Sequence, residues 1–322
     1  MQKLPGTGLV IVVVTFGLLF VVTASLVWGG KSSVGGLADL FRKNRRQTVL
    51  ALLANFVVLP ALVFLSLKAL NFSAQINAGF ALLSMVAGAP FVTIMSKLAK
   101  THPQNQEYVS HLAFLEILVT IPYVTIFLPL DLRGLDTGIH VHDWQILWPL
   151  LVFILLPLAI GMFLNARYPE LAEEMTKWLA PISLIAIVLH VSLYMAAFWT
   201  TLENEFGTGG FLYSIGFAIV GWLAGYYLCH PALSKSSERG PRVDVAIATA
   251  QKGSQAAIAT LVFAFGVYYV TGVAVLASSI ITIVLVILAS AELGRSVKGH
   301  ATPRIASSAS QPGSLSVERP TA

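Results

Sequence analysis

Three ionisable side chains stand inside long apolar stretches: Glu116 between Leu115 and Ile117, His190 between Leu189 and Val191, and Lys252 beside Gly253. A charge at the centre of a bilayer costs at least about 2.5–3.5 kcal/mol on insertion scales, so each must face protein or water and hold a partner. Lys252 is the sharpest of the three. It sits among Gln251, Gly253, Ser254 and Gln255, small or polar residues that let water or an anion approach a fixed positive charge. The competing readings are an ion pair with Glu116 or a neutral buried amine. Glu116 either pairs with Lys252 or holds a proton. His190, alone on an apolar face, reads first as a hydrogen-bonding group between helices. His140, His142 and Asp143 are close in sequence but make a weak metal motif, and no metal site is expected.

These residues lie on elements that composition assigns to lipid. Of the 322 residues 56% are hydrophobic and 11% charged, and the mean hydropathy is +0.79. A water-facing domain keeps roughly 25% charged residues. The single cysteine, Cys229, excludes an internal disulfide framework and a multi-cysteine metal site. Nine segments approach the ~20 apolar residues that a crossing helix needs: 8–29, 48–70, 75–99, 107–130, 145–165, 174–199, 209–229, 242–265 and 268–290. The first is too long for a signal-peptide core and has no small-x-small cleavage pattern, so it is expected to be retained.

The basic residues orient the spans. Sixteen of the twenty Lys and Arg fall on one side: Lys31, Arg42, Lys43, Arg45, Arg46, Lys97, Lys100, Arg167, Lys177, Lys235, Arg239, Arg242, Arg295, Lys298, Arg304 and Arg319. Lys3, Lys68 and Arg133 fall on the other, with Asp131, Asp136, Asp143, Glu203 and Glu205. The positive-inside rule then predicts a multi-pass plasma (inner) membrane protein with its N-terminus outside and its C-terminus cytoplasmic. Basic residues confined to short loops are a poor footprint for nucleic acid. The Ser-, Ala- and Pro-rich stretch 296–322 reads as a disordered cytoplasmic tail behind a membrane domain at 1–295. Asn71-Phe72-Ser73 matches a glycosylation acceptor, a motif too common by chance to carry weight.

Spans one to four and six to nine read as two copies of one pattern in opposite orientation. Such inverted repeats belong to secondary transporters, whose sites form where broken helices meet at midplane. The third and eighth spans each carry a break at corresponding positions, Gly88-Ala89-Pro90 and Lys252-Gly253-Ser254. Proline removes a backbone donor and disfavours helix in the residue before it. No phosphate-binding loop, HExxH or nucleophile elbow occurs, which argues against an ATP-driven pump within this chain and against an enzyme.

The segment Leu52-Leu53-Ala54-Asn55-Phe56-Val57-Val58-Leu59-Pro60 resembles the Gln-Phe-hydrophobic-Met-Pro segment of the bile acid:sodium symporter superfamily. Leu98-Ala99-Lys100 is similar to the end of that family's broken fourth span, Pro122 falls at its proline spacing, and Arg242 through Ala257 resembles its crossing ninth helix. The likeness runs loosely from about residue 15 to 290. It implies an all-α inverted-repeat transporter fold with two broken crossing helices, here a nine-span form lacking the first span. It also implies a core of spans at 48–130 and 209–290 moving against a panel at 8–29 and 145–199. The family carries organic anions with two sodium ions. Its sodium ligands align here with Asn55, Val92, Thr93, Gln106, Ser110, Ala248, Lys252 and Gly253, and a one-residue shift puts Gln251 in place of Lys252. Ala248 replaces the acid shared by both sodium sites.

The expectation is therefore a carrier of a small organic anion in a lipid bilayer, of oligomeric state not legible from sequence. The anion would meet Gly88, Ala89, Pro90, Thr93, Lys252, Gly253 and Ser254. Coupling would involve Asn55, Thr93, Gln106, Ser110, Gln251, Lys252 and Glu116. The chain needs no cofactor, and the Lys252 ammonium takes the place of a sodium ion. The alternatives are a sodium-coupled symporter of bile-acid type with altered ligands and Na+ as the coupling ion, or a non-transporting membrane sensor of the same fold.

Overall fold

Among the described residues the backbone is helical wherever it is regular, as lipid demands of a chain that must satisfy its own hydrogen bonds. The computed structural model describes residues 7–70, 72–89, 91–229, 240–265 and 269–300. In chain order the helices are α1 Thr7–Lys31, α2 Val34–Lys43, α3 Arg45–Leu70, α4 Ala74–Met85, α5 Val92–Leu98, α6 Pro103–Gly134 and α7 Asp143–Arg167. There follow α8 Pro169–Ala197, α9 Trp199–Gly207, α10 Gly210–Leu228, α11 Gly240–Ala250, α12 Ser254–Phe263 and α13 Tyr269–His300.

Among the described residues seven helices, α1, α3, α6, α7, α8, α10 and α13, are long and apolar enough to cross a membrane. Their outward faces carry Leu65, Phe163, Ile185 and Leu212, large side chains left more than half exposed, which suits a lipid solvent. The stretches read as the third and eighth spans are pairs of shorter helices, α4 with α5 and α11 with α12, interrupted at the two expected breaks.

The breaks cross each other. Gly88 adopts a φ of 79°, open to glycine but strained for other residues, and the chain leaves the axis of α4 there. The Gly253 N–H donates to the Val86 carbonyl at 3.4 Å. A Cβ on Gly253 would lie 2.5 Å from the Ala87 carbonyl oxygen, so only glycine lets the two backbones come this close. Thr120 of α6 fixes the crossing, its hydroxyl accepting from the Ala87 N–H at 3.0 Å.

Around this crossing α10 packs on α11 and α13, while α13 packs on α4 and α5. On the other flank α1 packs most extensively on α8 and α7, and also touches α12. Two crossing helices widen into a π-turn, α3 at Ala54–Val58 and α7 at Leu151–Leu155. Each lies just before a proline, Pro60 or Pro157, whose missing N–H and bulky ring break the regular ladder.

Two short helices fall where the sequence suggested loops. α2 forms because Ser33 caps it, accepting from the Gly36 N–H at 3.1 Å, and because Leu40 turns inward while Asp39 and Lys43 pair outside at 2.8 Å. α9 follows directly on α8, and its Trp199 indole donates to Glu203 one turn on at 2.6 Å. α13 continues to His300, past the boundary at 295 expected for the tail and through Gly299; residues 301–322 lie outside those described.

The Gly253→Ala substitution is expected to lower stability by about 1–3 kcal/mol, the cost of overpacking a closed contact. Gly35, whose Cβ would meet nothing within 4 Å, is the control, and Gly35→Ala should leave the midpoint of thermal unfolding in detergent close to wild type.

Candidate functional site

The π-turn before Pro60 turns Asn55 into the protein at the level of the crossing, where it is wholly buried. Its amide links two ionisable groups. The Lys252 ammonium donates to Asn55 Oδ1 at 3.0 Å, and Asn55 Nδ2 donates to Glu116 Oε1 at 2.8 Å. The same Nδ2 approaches Thr249 Oγ1 at 3.3 Å and the Ala51 carbonyl at 3.4 Å. The Gly88 N–H, freed by the break, faces the Glu116 carboxyl. Glu116 is fully buried and Lys252 is 6% exposed. Among the described residues no direct ion pair joins them, so the expected Lys252–Glu116 pair is relayed through the Asn55 amide, oxygen toward the amine and nitrogen toward the carboxyl. That is the orientation an ammonium and a carboxylate impose on a dipole between them.

Lys252 also borders a small hollow where Gln251, Ser254, Ser279 and Thr282 meet Leu83, Phe91 and Ile283. Phe91 has a second role, because it lines a much larger cleft of about 590 Å³ as well. That cleft lies between α1 and α8 on one side and α5 and α6 on the other. Phe20, Trp28 and Leu184 give it apolar walls, Thr93, Ser110 and Ser183 give it hydroxyls, and the exposed Lys31 and Lys97 give it positive charge. Phe91 is thus common to the linings of the cleft and of the hollow beside Lys252.

A sequence profile described as the sodium bile acid symporter family matches residues 15–202, more than half of the chain. The chain belongs to that family. Two relatives within the family's reach are the probable sodium/metabolite cotransporters BASS5, chloroplastic, of Oryza sativa subsp. indica and of Oryza sativa subsp. japonica. Each is 24% identical over 193 residues, which is 57% of this chain and 45% of the relative. The chain therefore spans less than half the length of these curated relatives. The family and the relatives' names are those of transporters, and the apolar helices make this family member a multi-pass membrane protein.

In this symporter-family chain most of the residues singled out from sequence fall into two groups. Asn55, Glu116 and Lys252 come together, with Gln251, Gly253 and Ser254 around them and Gly88 and Ala89 buried at the crossing. Thr93 and Ser110 sit apart from these, in the cleft. Gln106 joins neither group, because its Nε2 donates to the Thr101 carbonyl at 2.8 Å and ties α6 to the preceding linker. Pro90 lies outside the described residues. His190 holds two helices together, its Nδ1 lying 2.8 Å from the Val13 carbonyl of α1.

Thr249, Lys31 and Lys97 were missed. The two lysines read as orientation charges near span ends, and only the tertiary packing turns them toward one cleft. Thr249 carried no signal beyond its place one turn from Lys252.

Asn55→Leu leaves two buried ionisable groups without their shared partner, so stability should fall by at least about 3 kcal/mol, measured as unfolding in detergent. Asn55→Gln retains both amide functions and should recover part of the loss.

Proposed function

We propose that this chain is a secondary carrier that moves a small organic anion by alternating access, with Lys252 standing in place of a coupling sodium ion. The observation that carries the reading is the cleft, whose apolar and aromatic walls suit an organic body and whose Lys31 and Lys97 suit a carboxylate or similar anion. Membership of a symporter family and the sodium/metabolite cotransporter name of the rice relatives support transport.

The wider scheme counts each broken pair as one span, which gives nine with the seven continuous helices. It reads the two halves as inverted repeats and takes the basic ends as cytoplasmic, with the N-terminus outside in a plasma membrane. On that orientation the cleft faces the cytoplasm. The preference of α1 for α7 and α8 supports a panel of those three helices, against which a core of α3–α6 and α10–α13 would move.

The lysine's role rests on Asn55. In the family resemblance this amide is a sodium ligand, and here its oxygen accepts from the Lys252 ammonium instead. Ala248 supplies no carboxylate, and Glu116 on α6 provides the balancing acid through the same amide. A fixed ammonium held by an amide oxygen, with an acid on the far side of that amide, does the electrostatic work of a bound monovalent cation. A sodium-coupled form remains the second reading, favoured by Thr93 and Ser110, two oxygen donors sharing the cleft.

The test is thermal stability of the purified protein against a panel of organic anions, in sodium and in choline buffers. A ligand at 100 times its Kd adds about 2.7 kcal/mol to the native state, so a bound anion registers without a transport assay. Equal stabilisation in both buffers is the expected result, with Lys97→Ala weakening it. Stabilisation confined to sodium would make the second reading correct.

A further inference from the structure

A second buried acid lies away from the Lys252 network. Asp244, on α11, is wholly inaccessible and has no ion pair among the described residues. Its Oδ1 lies 3.0 Å from Thr101 Oγ1 in the linker between α5 and α6, and the Ser96 hydroxyl of α5 faces the same carboxyl. Its Oδ2 is buried without a hydrogen-bond partner. An ionised carboxyl in such a place, with one oxygen unpartnered, is costly, and a proton on the carboxyl removes its charge.

Thr101 can serve both states of the acid. Its hydroxyl has one hydrogen and two neighbours, Asp244 Oδ1 at 3.0 Å and the Ser96 carbonyl at 3.3 Å. With Asp244 ionised, that hydrogen goes to the carboxylate. With Asp244 protonated, the acid donates to Thr101 Oγ1 and the threonine hydrogen turns to the Ser96 carbonyl. The linker is held tightly for this exchange, because the Thr101 N–H also reaches the Ser96 carbonyl at 3.2 Å, Gln106 grips the Thr101 carbonyl, and Lys100 sits at a φ of 52°.

The charged and titratable surroundings are few among the described residues. From α6 the facing group is Tyr108, which lies within electrostatic reach of both Asp244 and Glu116. From α10 it is Cys229, which faces Tyr108 and Glu116. On α5 Lys97 is exposed, as is Lys100 in the linker that follows, and on α13 the exposed Glu292 and Arg295 pair with each other at 3.5 Å. Arg242 stands on α11 itself.

We propose that Asp244 is a reversible proton-binding site that latches α11, the first half of one broken helix, to the linker after α5, the second half of the other. Given the carrier reading, on which this part rests, the proton on Asp244 is the coupling ion. Its release changes the hold between two half-helices that must shift together.

Infrared difference spectroscopy of the full-length protein in KCl, stepped from acid to alkaline pH, reads the site without any substrate. The expected result is a protonated-carboxyl band that disappears as pH rises, is lost in Asp244→Asn, is retained in Glu116→Gln, and shifts its midpoint in Thr101→Val. Deuterium uptake of residues 99–103 should change over the same pH range in wild type and lose that dependence in Asp244→Asn. A band unaltered by Asp244→Asn, or a titrating band with no change in the linker, would overturn the latch. A band removed by exchanging KCl for NaCl at fixed pH would make this a sodium site and overturn the proton. Neither result bears on whether anions stabilise the protein, so the carrier reading stands or falls separately.

Discussion

The whole arrangement depends on accommodating an amine and a carboxyl at a depth where lipid solvates neither. Lys252 and Glu116 meet this constraint through one amide, Asn55, donated from a third helix. Because the three residues come from α12's leading edge, α6 and α3, the network also dictates how those elements sit. A half-satisfied polar network in a low-dielectric interior is worse than an apolar one, so its members are bound to one another's positions. The backbone crossing at Gly253 and Ala87 is the geometric counterpart, since it brings the Lys252 segment within reach of the Gly88 N–H and Glu116.

A proline and a glycine do much of the positioning. Pro60 widens α3 into the turn that carries Asn55, and Gly88 takes the chain out of α4 before the crossing. The resulting breaks leave half-helix ends inside the protein, where a polar ligand can be met by backbone as well as side chains. Phe91 lines both the cleft and the Lys252 hollow. An anion in the cleft would meet Lys31, Lys97, Thr93 and Ser110, with the buried lysine beside the neighbouring hollow.

Much of this was legible from the sequence. Apolar runs and the two breaks have local causes, hydrophobic length and Gly/Pro chemistry, and the helices lie close to where those signals put them. Lys252 and Glu116 stood out because an ionisable group in an apolar run is costly at that depth and must hold a partner or lose its charge. The missing parts were tertiary. Nothing local says that an asparagine four residues before Leu59 would relay between two other helices, or that Lys31 and Lys97 share a cleft. Asp244 was hidden by its neighbourhood, since an acid just after Arg242 reads as an interfacial charge rather than as a buried one. Gln106, which the family resemblance aligns with an ion ligand, donates its Nε2 to the Thr101 carbonyl, a contact no local signal gave.

The most direct test of the account is a double-mutant cycle on unfolding free energy in detergent, with Lys252→Met, Glu116→Gln and the pair together. Each single change strands the other ionisable group, so the account predicts that the double variant is more stable than the summed effects by at least about 1 kcal/mol. Effects that add within about 0.5 kcal/mol, the behaviour of independent sites, would mean that Asn55 joins no functional pair and would contradict it.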